Sequence, residues 1–377
     1  MTKKKIMFVI WSLGLGGAER VVINLAKYIN HERFEVFVCC LDDAGEFSSE
    51  LEDLGIKVIA LHKKRGIDFL LPKKISSLVR DYEIDILAPH LWGANLWTRI
   101  AILFNREVLV LVTEHNVDIW KRWWHRLADR LLQFKADRII VVSEKVKTFY
   151  QEEIGIKKEK LAVIYNGVEI NARETSQQKD NALRSRLQLS EGTRVIACIG
   201  RIVEAKRHDV FFDALRLLRE KQKNFIAVVA GDGPLRNSLE KKYADLVRAG
   251  VLRFIGLEKD INKLLDVTDI SVLTSTREGF SIVVLESMAK SIPFVATDVG
   301  GNSEQIINSE TGFLVDVGDS QAIAEKINTL LADKEIYRSM SAASFSRVNN
   351  FFSVKIMASE FEKLIERSLK GKQNEKN

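Results

Sequence analysis

The sequence predicts an α/β protein with two doubly wound domains that face each other across a cleft. Short apolar runs alternate with segments of helical period along nearly the whole chain, which is the rhythm of parallel sheets with helices on both faces. A polar stretch from 166 to about 190 interrupts this rhythm, so we place a domain linker there. The chain has 377 residues, and a single core rarely grows beyond about 250–300. Such sheets bind ligands at the carboxyl ends of their strands, which predicts a site in the cleft.

The first domain, predicted over 1–170, begins with an apolar strand at 6–11, a glycine turn at 14–17 and an amphipathic helix at 18–29. Its other strands are predicted at 34–41, 56–61, 85–89, 108–113, 138–142 and 161–164. The second domain, predicted over 171–355, repeats the pattern. Its strands are predicted at 195–200, 225–230, 251–255, 270–274, 293–297 and 313–315. A last helical segment follows with no strand after it.

Composition and charge exclude several classes of protein. Hydrophobic residues make up 46% and charged residues 29%, which is ordinary for a globular chain and excludes disorder. The net charge of +6 suits phosphate ligands or an anionic membrane surface, but it is too small to indicate nucleic acid, and no nucleic-acid-binding motif is present. No stretch approaches the roughly 20 apolar residues of a membrane helix. The run at 6–11 is too short for a signal peptide.

The three cysteines are Cys39, Cys40 and Cys198, and all lie in apolar, strand-like runs. Their spacing matches neither a zinc site nor a redox motif. An odd number of buried thiols fits a reducing compartment, so a cytoplasmic protein is predicted.

The first candidate site follows the predicted strand at 270–274. Glu278 lies in the loop, a helix is predicted to begin near Ser281, and Glu286 lies about two turns inside it. The backbone N–H groups at the start of that helix would form an anion site for a diphosphate, and the carboxylates could accept hydrogen bonds from sugar or ribose hydroxyls. By an equally good interpretation, Glu278 is an acid favoured by the helix dipole and Glu286 a solvated helix residue.

The second candidate site is Gly200 with Arg201 and Lys206, directly after the predicted strand at 195–200. An arginine fork and a mobile lysine can together neutralise a diphosphate. A solvated loop is the usual alternative for one arginine and one lysine. The diphosphate interpretation is favoured because this loop and the Glu278 loop both follow strands of the same sheet.

Weaker signals lie in the first domain. Gly16 and Gly17 allow close backbone approach at the start of a helix, although a tight strand-to-helix turn explains them equally well. His90 and His115 end neighbouring strands, where a histidine can bind substrate or transfer a proton, and where it can also be structural. His90 and Asn95 are candidates for the acceptor side.

All six tryptophans lie in the first domain, and 121–138 carries six basic residues against two acidic ones. In a helix over 119–134, Trp120, Trp124, Leu127 and Leu131 share a face that we interpret as core. Trp123, Arg126 and Arg130 share another face, which is compatible with an anionic membrane or with an ordinary solvated surface.

Several of these segments, taken in order, resemble glycosyltransferase family 4, the retaining nucleotide-sugar enzymes of GT-B fold. The matching pieces are 16–19, 113–116, 142–144, 165–168, Gly200-Arg201 with Lys206, 230–234, the segment from Glu278 to Glu286, and 298–301 with Glu304. The resemblance covers nearly the whole chain. It implies transfer of a hexose or N-acetylhexosamine from a UDP-sugar to a glycan or lipid-linked acceptor, without a metal or other cofactor. It also implies that the segment 356–377 crosses back to the first domain.

The resemblance assigns a role to each matched residue. Arg201 and Lys206 would bind the donor diphosphate and stabilise the leaving group, and Glu278 would contact the donor sugar. His115 would contact the transferred sugar near the reacting carbon. The implied donor-binding set is Gly16, Gly17, Gly200, Arg201, Lys206, Gly279, Phe280, Ser281, Ile282 and Glu286. Many relatives have glycine after the Lys206 position; here Arg207 follows, which leaves the choice between these two cations open.

The resemblance implies substitution on one face of the sugar, in which a donor phosphate oxygen helps deprotonate the acceptor. The matched motifs contain no carboxylate placed to act as the nucleophile of a retaining glycosidase. Other interpretations remain. A GT-B epimerase would use water, and a phosphorylase would need a pyridoxal lysine. A dinucleotide-dependent oxidoreductase would need the full glycine fingerprint with an acid about 20 residues further on. A nucleotide-sugar sensor without turnover is the fourth alternative.

Overall fold

The computed structural model describes residues 3–105, 107–170, 181–187, 189–258 and 260–374. Much of the predicted linker lies outside these residues. The chain forms two compact units. The first comprises Met1–Gly167 with Val354–Asn377, and the second comprises Val168–Ser353. Among the described residues, no helix is both long enough and apolar enough to cross a membrane.

The first unit is built on a parallel sheet of seven strands. They are β1 (Lys4–Ile10), β2 (Phe34–Cys40), β3 (Lys57–Ala60), β4 (Ile86–Pro89), β5 (Leu109–Glu114), β6 (Arg138–Val141) and β7 (Leu161–Val163), in the order β3-β2-β1-β4-β5-β6-β7. The direction of winding reverses between β1 and β4. Such a reversal opens a crevice at the carboxyl ends of the two strands, where doubly wound sheets bind ligands.

Helices cover this sheet. They are α1 (Gly17–Tyr28), α2 (Ser48–Glu52), α3 (Leu71–Asp81), α4 (Trp92–Ala101), α5 (Trp123–Leu132), α6 (Glu144–Phe149) and, from the end of the chain, α16 (Val354–Asn374). The long helix α16 packs on α1, and its Phe361 stacks on Phe8 of β1 with ring centroids 5.9 Å apart. Arg33 also pairs with Glu362 at 3.2 Å and with Glu366 at 2.6 Å.

The second unit repeats the plan with six parallel strands. They are β8 (Arg194–Ile199), β9 (Phe225–Ala230), β10 (Leu252–Gly256), β11 (Ile270–Leu273), β12 (Phe294–Thr297) and β13 (Phe313–Val315), in the order β10-β9-β8-β11-β12-β13. Its helices are α7 (Asn181–Arg186), α8 (His208–Lys221), α9 (Arg236–Lys242), α10 (Ala244–Arg248), α11 (Ile261–Val267), α12 (Ile282–Ala289), α13 (Asn302–Gln305), α14 (Ser320–Ala332) and α15 (Lys334–Phe351). Here the winding reverses between β8 and β11.

The predicted strands are confirmed in both units. The central strands β4, β5, β11 and β12 are apolar runs buried on both faces of a parallel sheet, whereas the edge strands β3, β7 and β10 are only partly buried. All three cysteines are buried and free, as the sequence indicated. Burial raises the pKa of both the Cys40 and the Cys198 thiol to about 12.

The interpretation of the tryptophan-rich helix was wrong. The helix α5 begins only at Trp123, and the side expected to be core is exposed: Trp124 has 43% of its surface exposed, Leu127 45% and Leu131 61%. The buried side of α5 instead carries the polar residues His125 and Asp129. Periodicity located an amphipathic helix correctly but could not tell which side the rest of the unit would cover.

Candidate active site

The predicted donor-binding loops of the second unit meet where its sheet reverses direction. Gly200 and Arg201 follow β8, and Glu278 lies in the segment after β11, the neighbouring strand. The backbone joins the two loops: Thr276 N–H donates to Ala205 O at 2.8 Å, and the Thr274 hydroxyl bonds the carbonyls of Lys206 and Arg207 at 2.9 and 2.8 Å. The carboxyl edge therefore holds the two candidate motifs as one structure.

Lys206 and Glu278 form an ion pair at the centre of this structure. Lys206 Nζ lies 2.6 Å from Glu278 Oε1, which also accepts a hydrogen bond from the Ser275 hydroxyl at 2.5 Å. The Glu278 side chain is 10% exposed and that of Lys206 26%. The pair is neutral as a unit, so its two charges are held in place without adding net charge to the site.

Arg201 and Arg207 differ in their surroundings. The Arg201 side chain is exposed, and no hydrogen bond or ion pair is seen for its guanidinium among the described residues. Arg207 instead makes a forked pair with Asp209, with distances of 3.0 to 3.2 Å. This pairing raises the pKa of Arg207 and commits its charge to α8. Arg201 is thus the second cation, in addition to Lys206, that is available to a ligand.

Glycines bring backbone segments into close contact around these loops. Gly300 has a φ of +52°, and a Cβ atom there would overlap the Glu278 carbonyl oxygen. Gly301 N–H donates to Gly279 O at 3.0 Å. The segment after β12 therefore fixes the backbone of the Glu278 loop. A Cβ atom on Gly231 would likewise overlap the Gly200 carbonyl.

The helix α12 begins beside this loop, as the sequence predicted. Ser281 precedes it, and Gln305 holds Ser281 by accepting from its N–H at 3.1 Å and donating to its carbonyl at 2.8 Å. Its first-turn N–H groups have no partner within the helix, so this end attracts anions. The side chains of Phe280 and Ile282 are buried, which leaves their backbone as the part that could meet a ligand. Glu286 is half-buried.

In the first unit, Gly16 precedes α1 in extended conformation, and Gly17 is the first residue of the helix. A Cβ atom on Gly16 would meet only the end of the Glu19 side chain, which can move. The turn follows β1, at the point where this sheet reverses direction. Gly16 and Gly17 therefore lie where a ligand is expected, although nothing in their geometry requires one.

His90 and His115 form a buried pair at the same carboxyl edge. His90 Nδ1 lies 2.9 Å from His115 Nε2, and the two side chains are 0% and 7% exposed. Burial lowers the pKa of His115 to about 4, and burial together with the neighbouring His115 lowers the pKa of His90 well below its usual value. Both rings are neutral near pH 7, so His115 can donate or accept a hydrogen bond but does not serve as an imidazolium acid.

The expected acceptor role of His90 and Asn95 finds little support. Both side chains are completely buried, and the Asn95 amide donates to the Thr113 carbonyl at 3.0 Å. The backbone of Leu91, directly after His90, has a φ of 70°, which a leucine rarely adopts. In this conformation neither side chain is exposed to a saccharide. His90 contacts His115, and Asn95 contacts the strand that leads to His115.

A buried charge network supports the segment that carries His115. Lys121 Nζ lies 2.8 Å from Asp129, 3.3 Å from Asp118 and 3.7 Å from Glu114, and 2.7 Å from the Tyr150 hydroxyl. Arg99 also pairs with Asp129 at 2.6 Å. With all three carboxylates ionised, the network would have one negative charge more than its two cations balance. Burial, opposed by Lys121, raises the pKa of Glu114 to about 7.

Sequence reasoning missed the supporting residues, which include Thr274, Ser275, Gln305 and Lys121. No motif marks them. Thr274 and Gln305 contact segments that are distant in sequence. Ser275 and Lys121 have partners only a few residues away, but the path of the backbone decides which partners they meet. Within the described part of the chain, no group of three or more His, Cys, Asp or Glu residues could hold a metal ion; the expectation of a metal-free reaction stays a prediction. A depression at the amino ends of β1 and β2, beside Lys5 and His31, contains none of the predicted site residues.

Known proteins resemble this chain over both units. The family described as Glycosyltransferase Family 4 matches residues 15–172, and the family described as Glycosyl transferases group 1 matches residues 179–347. One relative is the N-acetyl-alpha-D-glucosaminyl L-malate synthase of Bacillus anthracis, 26% identical over 82% of this chain and 81% of its own length. Another is a UDP-Gal:alpha-D-GlcNAc-diphosphoundecaprenol alpha-1,3-galactosyltransferase of Escherichia coli, 25% identical over 90% and 91%.

Solved structures share the fold. Anabaena HepE, determined in complex with UDP and glucose, superposes with a TM-score of 0.84, is 24% identical, and is matched over 97% of this chain and 100% of its own. Sucrose-phosphate synthase from Thermosynechococcus elongatus superposes with a TM-score of 0.79 at 18% identity, over 98% and 100%. These matches confirm the predicted fold class, GT-B with two doubly wound domains.

Proposed function

Because this chain belongs to the family 4, group 1 glycosyltransferases, we propose that it transfers a hexose or N-acetylhexosamine from a UDP-sugar to a glycan or lipid-linked acceptor, with retention at the anomeric carbon. The observation that carries the proposal is the Lys206–Glu278 pair beside the start of α12, with the exposed Arg201 next to it. A diphosphate needs cations and N–H donors at one place, and this edge supplies both.

The donor site is proposed as follows. Arg201 and the first N–H groups of α12 bind the diphosphate, together with Lys206, which exchanges its contact with Glu278 for one with a phosphate. No metal is required for charge neutralisation. Glu278 faces the sugar, and Glu286 accepts from the ribose hydroxyls. UDP as the nucleotide is supported by the UDP complexes of the structurally similar HepE and by the UDP-Gal specificity in the name of the Escherichia coli relative.

The acceptor is proposed to be a lipid-linked saccharide. The Escherichia coli relative is named for a diphosphoundecaprenol acceptor. A Campylobacter jejuni relative, 26% identical over 94% of this chain and 97% of its own length, is named for a diphospho-undecaprenol substrate as well. The alternative within the proposal is a free or polymeric glycan.

We propose substitution on one face of the donor sugar. The bond from the anomeric carbon to the diphosphate oxygen breaks, and the acceptor oxygen forms a bond to that carbon on the same face. The acceptor proton passes to the departing phosphate oxygen, and Arg201 and Lys206 stabilise the charge that develops there. The neutral His115 contacts the transferred sugar through a hydrogen bond. A covalent sugar trapped on Glu278 or another carboxylate would contradict this route.

The donor assignment is tested by calorimetric titration of the protein with UDP, GDP, ADP and NAD in the presence of EDTA. We expect UDP to bind and NAD not to bind. Loss of one charge-assisted contact in Arg201→Ala, Lys206→Ala or Glu286→Ala should weaken UDP binding by about ten- to a hundredfold.

Arg207→Ala is the matched control, because Arg207 lies beside Lys206 but is paired with Asp209. It should leave UDP affinity nearly unchanged. If Arg207→Ala weakened UDP binding as much as Lys206→Ala, the charge assigned to Lys206 would belong to Arg207. Binding of NAD in place of the nucleoside diphosphates would overturn the donor proposal altogether.

A further inference from the structure

The outer side of α5 and the segment before it expose an unusual number of large apolar side chains. Seven of them lie within residues 119–134, each at least 43% exposed: Ile119, Trp120, Trp123, Trp124, Leu127, Leu131 and Phe134. Contiguous apolar surface of this kind is rare on a soluble monomer and marks an interaction site. We call the residues 119–134 the α5 surface.

The orientation of α5 is fixed by the residues on its other side. Asp129 points inward to Arg99 and Lys121 at 2.6 and 2.8 Å, and His125 packs against Trp92 with ring centroids 4.5 Å apart. Turning the helix would bury its apolar side and expose these partners, which would leave two buried cations without their carboxylate. The apolar side therefore remains outside as long as the charge network is intact.

A second exposed apolar segment lies at 63–71, before and at the start of α3. Ile67 is 71% exposed, Phe69 82% and Leu70 55%. Asp68 between them is buried, and its carboxylate accepts from the N–H groups of Lys64 and Leu70, both at 3.1 Å. Because Asp68 is turned inward and bonded on both sides, its neighbours are held outward. We call residues 63–74, which include the first turn of α3, the α3 loop.

Aromatic contacts connect the α3 loop with the α5 surface. Lys63 Nζ lies 5.4 Å from the centre of the Trp11 ring, and a Cβ atom on Gly93 would lie 3.2 Å from the same ring. Trp92, next to Gly93, packs edge-on against Trp120 and Trp124 at 5.9 and 5.7 Å. The two exposed segments are therefore joined by a continuous row of contacts along the carboxyl edge of the first sheet.

The charge of both segments is basic. The α3 loop contains five basic residues against one acidic residue, Asp68, which is buried. On the α5 surface, Arg122 and Arg130 are exposed, and Arg126 is shared between the Lys121 carbonyl and Glu153 at 3.2 and 3.3 Å. Exposed indole rings together with arginine and lysine are characteristic of surfaces that enter the headgroup region of an anionic bilayer.

We propose that the α3 loop and the α5 surface together form a docking surface for an anionic lipid bilayer. The indole, leucine and phenylalanine side chains enter the headgroup and upper acyl region, and the flanking cations contact lipid phosphates. This docking surface extends the proposed function and rests on it in one respect: a lipid-linked acceptor would be presented at such a surface. His115 lies at the same edge of the sheet, so the saccharide can reach it while the lipid stays in the bilayer.

The test is sedimentation of the full chain with vesicles of phosphatidylcholine alone and of phosphatidylcholine mixed with phosphatidylglycerol, without donor or acceptor. We expect binding to the mixed vesicles that weakens with salt. Two double variants, Trp123→Ala with Leu131→Ser and Ile67→Ser with Phe69→Ser, should each reduce partitioning by about tenfold or more. Arg122→Ala with Arg130→Ala should reduce it roughly fivefold per charge at low salt.

Leu257→Ser is the matched control, because Leu257 is 61% exposed, as Leu131 is, but lies in the second unit. It should bind vesicles like the parent chain. UDP titration of every variant separates the two proposals, since the docking variants should retain the parent affinity. Absence of vesicle binding with intact UDP binding would overturn the docking surface alone. Concentration-dependent dimerisation abolished by Trp123→Ala with Leu131→Ser would instead assign the surface to a second copy of the chain.

Discussion

The hydrogen bond between His90 and His115 determines how His115 can meet a substrate. His90 Nε2 is buried without a partner among the described residues, and an orphaned acceptor is tolerated better than an orphaned N–H donor. We infer that His90 carries its proton on Nδ1 and donates it to His115 Nε2, 2.9 Å away. His115 then carries its own proton on Nδ1. His90 is therefore a positioning residue that selects the tautomer of its neighbour.

His90→Phe should lower kcat by about tenfold or more, because His115 loses the donor that fixes its tautomer and orientation. UDP affinity should be unchanged, since the proposed donor site lies in the second unit. His90→Asn should restore part of kcat, because its amide can donate from nearly the position of Nδ1. The measurement is the rate of UDP release together with a UDP titration. Equal rates for the parent chain, His90→Phe and His90→Asn would contradict the assignment.

At the scale of elements, the donor loops derive their shape from the strands and turns around them. The loop after β11 carries Glu278, but its backbone is held from behind by the turn after β12, through Gly300 and Gly301. Gly300 combines a positive φ with direct contact to the Glu278 carbonyl. A larger residue would displace the loop, and with it the carboxylate that pairs with Lys206 at 2.6 Å.

Gly300→Ala should weaken UDP binding by about tenfold or more, because the Cβ atom pushes the Glu278 loop away from Lys206 and from the start of α12. Gly318→Ala is the control: Gly318 also has a positive φ, +86°, but nothing lies within 4 Å of its Cβ position. Both variants should lose about 1 kcal/mol of stability from backbone strain. Only Gly300→Ala should lose UDP affinity in calorimetry. Equal affinities in the two variants would show that Gly300 does not determine the position of the Glu278 loop.

At the scale of the whole molecule, the chain leaves the first unit at Gly167 and returns to it at Val354. The returning helix α16 completes the core around β1, where Met357, Phe361 and Ile365 are buried. The core of the first unit therefore includes side chains of α16, which follows the whole second unit in sequence. The six tryptophans all lie between Trp11 and Trp124, so tryptophan fluorescence reports on the first unit alone.

Phe361→Ala should lower the free energy of unfolding of the first unit by about 3–5 kcal/mol, because it removes a buried ring that stacks on Phe8. Lys363→Ala, an exposed position whose ion pair with Glu360 is also exposed, should change it by less than about 0.5 kcal/mol. The measurement is urea unfolding followed by tryptophan fluorescence. An unchanged midpoint for Phe361→Ala would show that α16 does not belong to the core of this unit.

The sequence by itself determined the strands, the two-unit organisation of parallel sheets and the loops that carry the proposed chemistry. Strands buried on both faces leave continuous apolar runs, and ligand-binding loops follow their carboxyl ends. For this reason Arg201, Lys206 and Glu278 could be selected before any contact was known.

Only the tertiary structure decided which of these residues meet and which sides are covered. The pairing of Lys206 with Glu278 depends on β8 and β11 being neighbours, and the role of Gly300 depends on a turn 22 residues further along the chain than Glu278. The orientation of α5 depends on Arg99 and Lys121, which bind Asp129 and hold the apolar side outward. Periodicity predicts that a helix has two different sides. It does not predict which side is buried, because the residues that cover that side come from distant parts of the chain.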